Sequence, residues 1–153
     1  MSTVNAFDQK FSIDEEQKNL IEEFSFFDDW TERYEYLIDL GRKLPEFPSE
    51  YQVDEFKLKG CQSQVWFTGQ NVEGKLVFQA ISDAAIVSGL IALLMRVFSH
   101  RTAKEILSVD LKFLDEIGLD THLSSTRKNG LNSMIQAIRN RAQNDIKREA
   151  TQV

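Results

Sequence analysis

Cysteine, proline and long apolar runs are all scarce in this sequence of 153 residues. Its one cysteine, Cys61, cannot form a disulfide within the chain, so we expect a free thiol in a reducing compartment, the cytoplasm. The most apolar stretch, residues 84–95, is shorter than the roughly 20 residues that span a bilayer. The N-terminus lacks the basic start and apolar run of a signal peptide. We therefore expect neither a membrane span nor a secreted protein.

Basic side chains are also in the minority. The chain has 18 Lys and Arg against 24 Asp and Glu, a net charge of −6. Such a molecule repels nucleic acid and anionic lipid, which excludes both as main partners. The length suits one domain with its own core, and the hydrophobic fraction of 42% is ordinary for a globular protein. We expect a single domain over residues 1–153.

Apolar side chains at helical spacing predict two helices near the start of the chain. Ser12 and Glu15 have the spacing of a capping box, which places the first helix over residues 12–27. Asp28 or Asp29 suits the N-cap of the second helix.

The same periodicity predicts helices in the second half of the chain. A largely apolar helix begins after Ser82 or Asp83, and its lack of polar surface indicates that it is central and buried. Further helices are expected over residues 102–108, over residues 111–117 and from Ser125 or Thr126 onward. On the last helix, the predicted buried stripe is Leu131, Met134, Ile135, Ile138, Ala142 and Ile146.

Strand-like residues occupy the middle of the chain. Val, Phe and Trp are prominent over residues 57–68 and residues 75–82, and a turn-prone segment separates the two, which predicts a hairpin. Because an isolated hairpin is only marginally stable, we expect a third strand over residues 52–56 and a helical layer on one face. The sequence therefore predicts an α+β fold, a small antiparallel sheet of about three strands packed on one face by helices.

Cys61 stands in the run LKGCQSQVW, residues 58–66. If this segment is an extended strand, side chains alternate, so that Lys57, Lys59 and Cys61 project from one face. Two cations beside a thiol would favour the nucleophilic thiolate.

The neighbours of the cysteine also suit a reactive thiol. Gly60 gives backbone freedom and allows another protein to approach closely. Gln62 and Ser63 can hydrogen-bond a charged sulfur or a partner. However, free cysteines are often small buried hydrophobes, so the residues alone leave both interpretations open.

Four motifs together resemble one known family. GCQSQVW at residues 60–66 is similar to the signature of the SufE family of sulfur acceptors, which work with cysteine desulfurases in iron–sulfur cluster assembly. The family resemblance extends to SDAAIVxGL at residues 82–90, to TRxxGL followed by MIxAI at residues 126–138, and to WxxRYxYxIxLGxxLP at residues 30–45.

The resemblance implies a fold like that of SufE and IscU, and a function. Cys61 would take the terminal sulfur of a persulfide from a pyridoxal-phosphate-dependent cysteine desulfurase and pass it to a downstream iron–sulfur scaffold complex. The chain would stimulate that desulfurase without being a stand-alone enzyme. We expect no bound cofactor or metal, and a monomer or homodimer.

The resemblance also assigns roles around the cysteine. Arg127 matches the motif arginine of the family, and we expect it to contact the desulfurase or to steady the anionic sulfur. Lys59, Gly60, Gln62 and Ser63 are expected to shape reactivity or docking. We expect Asp83 to cap its helix, with a protein contact as a second role.

Four other interpretations stay open. An iron–sulfur scaffold of the IscU type shares the expected fold, but a cluster generally needs several cysteine ligands. A zinc site of Cys61, His100 and His122 lacks the usual ligand spacing. A cysteine hydrolase could use Cys61 with either histidine as its base. Finally, a structural adaptor could dock through the exposed aromatic side chains Phe7, Phe11, Phe26 and Phe47.

Overall fold

The structure, a computed structural model, describes residues 10–151. This part of the chain forms seven α-helices and a two-stranded antiparallel sheet. In chain order they are α1 (Ile13–Ser25), α2 (Trp30–Arg42), β1 (Val65–Val72), β2 (Lys75–Ser82), α3 (Ala85–Phe98), α4 (Ala103–Ser108), α5 (Phe113–Ile117), α6 (Leu119–His122) and α7 (Ser125–Thr151). The α+β fold predicted from the sequence is confirmed.

Side-chain caps fix the start of three helices. At α1, the Glu15 N–H donates to Ser12 Oγ at 3.1 Å, and the Ser12 N–H donates to the Glu15 carboxylate, which is the predicted capping box. Asp29 caps α2 by accepting from the Glu32 N–H at 2.8 Å. A second capping box starts α4.

The sheet is smaller than predicted. β1 and β2 pair from Val65 with Ser82 to Val72 with Lys75. The prediction of a third strand over residues 52–56 is wrong, because Asp54–Phe56 forms a short 3₁₀ helix. The N–H groups of Gln52, Phe56 and Lys57 bond carbonyls three residues back, so these groups are not available to a strand partner. A single bridge between Lys57 and Trp66 is the pairing present at this edge.

The core is centred on α3, as its composition predicted. Leu90, Ile91, Leu93, Leu94, Val97 and Phe98 are each at most 1% exposed. α2 crosses α3 where both helices carry a glycine: a Cβ on Gly41 would lie 2.6 Å from the Gly89 nitrogen, and a Cβ on Gly89 would lie 2.3 Å from the Leu37 carbonyl oxygen. The two backbones therefore approach more closely than any side chain at either position would allow.

A charged cluster joins the first three helices. The Arg96 guanidinium of α3 contacts Glu16 and Glu23 of α1, each at 2.6 Å, and the Tyr36 hydroxyl of α2 donates to Glu23 at 2.5 Å. Burial together with the Glu23 carboxylate raises the pKa of Tyr36 to about 12. The cluster fixes α1 and α2 against the central helix.

The last helix runs beside the sheet and then beyond it. Its predicted stripe is buried from Leu131 to Ala142, whereas Ile146 is 38% exposed, contrary to prediction. Arg141 donates to the Gly69 carbonyl at 3.2 Å, and Asn71 donates to Asp145 at 2.8 Å. Past these contacts with the hairpin, residues 146–150 are all exposed, so no layer formed by the described residues covers Ile146. Of the helices in residues 10–151, none is long and apolar enough to cross a membrane.

Candidate functional site

Cys61 lies in an irregular loop, residues 59–64, which we name the Cys61 loop. The Leu58 N–H donates to the Val65 carbonyl at 2.8 Å and closes the base of this loop. The prediction of a strand from residue 57 is wrong, because β1 begins at Val65. Gly60 adopts φ +88°, a left-handed conformation that interrupts an extended chain and favours glycine.

The Cys61 side chain is half-buried and points toward α7. Its Sγ lies 3.8 Å from the Gly130 carbonyl oxygen, and a Cβ on Gly130 would be 3.8 Å from the same sulfur. A cavity of about 340 Å³ surrounds the thiol. The cavity is lined by the Cys61 loop, the start of α3 and the start of α7, namely Cys61, Gln62, Ser63, Val87, Leu90, Ser124, Thr126, Arg127, Gly130, Leu131 and Met134. One chemically reactive group therefore faces a pocket with apolar walls and a polar mouth.

The electrostatic environment of the thiol differs from the prediction. Burial raises the pKa of the Cys61 thiol above its ordinary value. With no strand here, Lys57, Lys59 and Cys61 do not share a strand face. The Lys57 ammonium instead lies 3.8 Å from Asp54 and 5.6 Å from the centre of the Trp66 ring. In this conformation burial disfavours the thiolate, which is the nucleophilic form of the group.

Asp83 does not cap α3, contrary to prediction. The N-cap is Ala84, and Ser82 Oγ accepts from its N–H at 3.2 Å. The Asp83 carboxylate instead accepts from the Gln64 N–H at 3.0 Å, while the Asp83 N–H donates to the Gln64 carbonyl at 3.3 Å. This reciprocal pair ties the end of the Cys61 loop to the segment before α3.

Arg127 lies in the first turn of α7 and lines the Cys61 cavity. Its backbone N–H donates to Ser124 Oγ at 3.2 Å, and its side chain is exposed. The fold therefore places this motif arginine at the mouth of the pocket that holds the cysteine, although the two are far apart in sequence. Gln62 and Ser63 line the same cavity, and Lys59 is exposed on the loop.

Sequence reasoning missed how closely the start of α7 packs against the Cys61 loop. A Cβ on Gly60 would lie 2.7 Å from Ser133 Oγ, so α7 sets the position of the loop directly before the cysteine. Gly130 leaves room for the sulfur itself. The only sequence signal of this contact was Gly130 of the TRxxGL motif, because glycine is unfavourable inside a helix and its presence there indicates a close neighbour.

The histidines do not meet the cysteine. His122 stacks on Trp30, with ring centroids 3.9 Å apart, and its Nδ1 lies 3.0 Å from the Gly118 carbonyl oxygen. No histidine is among the described residues that line the Cys61 cavity, which removes the geometric basis for the hydrolase alternative. Across residues 10–151, no three His, Cys, Asp or Glu side chains are placed to hold a metal ion, so the alternative zinc site is not formed there.

The aromatic residues of the adaptor alternative differ in their exposure. Phe26 and Phe11 are 78% and 45% exposed, whereas Phe47 is buried. Phe7 lies outside the described residues. The burial of Phe47 removes it from the predicted docking surface.

Comparison with known proteins finds relatives of similar length. An uncharacterised SufE-like protein of Rhizobium meliloti (strain 1021) is 45% identical over 129 residues, which cover 81% of this chain and 92% of the relative. An uncharacterised SufE-like protein of Rhizobium etli is 43% identical over 128 residues, which cover 80% of this chain and 86% of the relative.

A solved structure shares the fold. The solution structure of a hypothetical protein from Thermus thermophilus superposes with a TM-score of 0.71 and 18% sequence identity, covering 86% of this chain and 96% of that one. The model of the SufE family, described as a Fe-S metabolism associated domain, matches residues 18–142, which include the Cys61 loop, Asp83 and Arg127. The chain therefore belongs to the SufE family and carries its Fe-S metabolism associated domain.

Proposed function

We propose that this chain is a sulfur acceptor that takes persulfide sulfur from a cysteine desulfurase onto Cys61 and relays it for iron–sulfur cluster assembly. The observation that carries the proposal is the position of the only cysteine, at a glycine-preceded loop and against a cavity bordered by Arg127. Membership of a family associated with Fe–S metabolism supports the same role.

The reaction is a displacement at sulfur. The Cys61 thiolate attacks the terminal sulfur of the donor persulfide, the donor S–S bond breaks, and the donor cysteine leaves as a thiolate. Cys61 becomes a persulfide, its original proton having gone to solvent or to a base of the partner, and no external oxidant is consumed. The chain breaks no carbon–sulfur bond itself. By removing product sulfur it frees the desulfurase for another turnover, which stimulates that enzyme.

The half-buried resting position of the thiol fits a carrier. Attack requires access, so the Cys61 loop has to swing outward to reach a donor pocket. The cavity of about 340 Å³ has room for one more sulfur when the loop returns, since a water-sized atom takes only about 30 Å³. Arg127 is positioned to steady the anionic sulfur at the mouth, because a guanidinium provides several N–H donors for anions.

The setting follows from the chemistry of the thiol. A carrier whose single cysteine becomes exposed during its reaction needs a reducing compartment, so we propose that the protein acts in the cytoplasm. We propose a cysteine desulfurase as the sulfur donor and an iron–sulfur scaffold complex as the recipient. Lys59, Gly60, Gln62, Ser63 and Asp83 are proposed to act in docking and loop movement.

The test is intact mass after incubation with a cysteine desulfurase and cysteine. We expect a gain of one or more sulfur atoms in the wild type, mapped to Cys61 by peptide analysis. The Cys61→Ser variant should gain none while still binding the desulfurase in a pull-down. An unmodified wild type, or an equal gain in the variant, would refute the acceptor role. Sulfur delivery that survives the substitution would favour a structural adaptor.

A further inference from the structure

Trp66 ends the GCQSQVW motif and takes no part in the displacement at sulfur. Side chains alternate along β1, so Val65 and Phe67 face the main core while Trp66 and Thr68 lie on the opposite face of the sheet. Trp66 is nevertheless only 9% exposed, and Thr68 only 8%. A second buried layer therefore covers the start of β1 on the face that points away from the core.

The chain that leads into the Cys61 loop covers Trp66. We name this stretch, residues 54–58, the stem segment. Its 3₁₀ helix, Asp54–Phe56, contacts β1, and Lys57 forms a bridge with Trp66. The Lys57 ammonium lies 5.6 Å from the centre of the indole ring. Because Cys61 follows the stem segment closely in the chain, an outward movement of the loop that includes its stem uncovers the indole.

The indole N–H of Trp66 is fully buried and has no hydrogen-bond partner among the described residues. On the same face of β1, the hydroxyl of Thr68 is likewise buried without a partner in residues 10–151. Gln17 of α1 shows the contrast, because it is buried to a similar degree and its amide bonds the backbone of residues 110–113. An unpaired buried donor disfavours the conformation that contains it, since the N–H has given up its bond to water.

We propose that Trp66 is a positioning residue that sets how readily the Cys61 loop opens, an inference that rests on the sulfur-acceptor function proposed above. In the closed conformation, the stem segment keeps the indole N–H away from water without offering it an acceptor. When the stem segment lifts with the loop, water bonds the N–H and the thiol becomes accessible in the same movement. The unpaired group therefore destabilises the closed conformation relative to the open one. This balance suits a sulfur acceptor, because its thiol has to be sheltered at rest and available to a donor.

The first experiment removes the N–H and keeps the shape of the ring system. Trp66 is replaced by benzothienylalanine, introduced by amber suppression, in which a sulfur atom takes the place of the indole N–H. We expect alkylation of Cys61 by iodoacetamide to slow about tenfold, because the closed conformation loses its unpaired donor and the open one loses a bond to water. A loss of packing has the opposite sign, since it opens the loop more often and accelerates alkylation.

The matched control places the same isostere at Trp30, the second tryptophan of the chain, which stacks on His122. Because Trp30 is partly exposed, its N–H carries no comparable penalty, and the alkylation rate should stay within about twofold of the wild type.

The second experiment uses the unmodified chain, so it does not depend on the folding of a variant. Hydrogen exchange of the two indole N–H groups is followed by NMR, and the signal of Trp66 is the one that persists in Trp30→Phe. If one movement exposes both groups, the indole N–H and the Cys61 thiol are protected to the same degree. We expect the slowing of indole exchange relative to free tryptophan, and the slowing of alkylation relative to the chain in urea, to agree within about threefold.

Each result decides the role of Trp66. Alkylation that is unchanged or faster with the isostere at Trp66 would overturn it, and so would an equal slowing with the isostere at Trp30. Protection of the indole N–H and of the thiol that differs by more than about threefold would mean that the loop opens without uncovering Trp66, and would also overturn it. The sulfur-acceptor function is tested separately, because a wild-type chain that gains no sulfur mass refutes that function whatever the alkylation and exchange rates are.

Discussion

The α2–α3 contact and the Cys61 loop are built in opposite ways. At the helix contact, two glycines bring backbones together, and Arg96 bonds two carboxylates of α1. The Cys61 loop is held by one backbone bond at its base, the Asp83–Gln64 pair and a 3.8 Å sulfur contact. The first region has no freedom to move without losing packing, whereas the second can open at the cost of a few hydrogen bonds. The helix contact therefore contributes mainly to stability, whereas the Cys61 loop provides the reactive group.

The largest expected effect tests the rigid region. Gly89→Ala places a Cβ 2.3 Å from the Leu37 carbonyl oxygen, so the two helices have to separate. We expect the free energy of unfolding to fall by about 3 kcal/mol or more, measured by urea denaturation. Gly130→Ala is the control, because its Cβ meets only the Cys61 sulfur at an ordinary 3.8 Å, and alanine gains up to about 1 kcal/mol of helix propensity. Equal losses in the two variants would contradict the comparison.

The charged cluster gives the next largest effect. Arg96→Met leaves Glu16, 5% exposed, without its cation, and we expect a loss of about 3 kcal/mol at neutral pH. The control is Arg42→Met, because Arg42 pairs with Asp39 in an exposed bridge, and it should cost less than about 0.5 kcal/mol.

The pH dependence of the same variant has a defined sign. Burial alone would raise the pKa of the Glu23 carboxyl, but hydrogen bonds from Arg96 and Tyr36 outweigh it and hold that pKa below its ordinary value of 4.5. A carboxyl with a lowered folded pKa stabilises the fold above its unfolded pKa, and this stability is lost as the pH falls through the folded value. The gap between wild type and Arg96→Met should therefore narrow below about pH 4. A constant gap between about pH 3 and about pH 7 in denaturation experiments would exclude this linkage.

Substitution of Gly60 in the Cys61 loop is expected to cost less stability than the changes above and to increase the reactivity of the Cys61 thiol. Gly60→Ala forces a side chain into a left-handed conformation, 2.7 Å from Ser133 Oγ, at an expected cost of about 1–2 kcal/mol. Because the strain is relieved when the loop opens, alkylation of Cys61 by iodoacetamide should accelerate about tenfold. Adding Ser133→Ala removes the contact but not the strain, so part of the acceleration should persist. A rate equal to that of the wild type would show that Gly60 does not hold the loop.

The smallest expected effect concerns the hydrogen bonds between Asp83 and Gln64 at the C-terminal end of the Cys61 loop. Asp83→Ala removes the acceptor of the Gln64 N–H, a bond with a net worth of about 1 kcal/mol, so alkylation of Cys61 should accelerate about threefold. Asp83→Asn keeps an acceptor oxygen and should fall between the wild type and the alanine variant. If Asp83→Ala unfolds more readily but alkylates at the wild-type rate, the residue serves α3 and not the loop.

Much of the fold follows from local sequence rules. The capping box at Ser12, the Asp29 cap and the apolar periodicity of α3 each predicted an element that the structure contains. The errors fall where a local pattern was ambiguous. Residues 52–64 have strand-like composition, yet i+3 hydrogen bonds and the left-handed Gly60 take them out of the sheet. Asp83 has the right position for a cap, but the Gln64 N–H competes for the same carboxylate.

The sequence by itself determined the α+β class, the starts of α1 and α2 and the single cysteine, Cys61, which we propose as the sulfur carrier, because these depend on local spacing, composition and motif. Only the tertiary structure decided where that thiol lies. Its half-burial against Gly130, the raised pKa of its sulfur, the tie from Asp83 and the presence of Arg127 at the cavity mouth all arise from contacts between distant segments. Such contacts depend on how α3 and α7 pack around the hairpin, and no local pattern of residues encodes that arrangement.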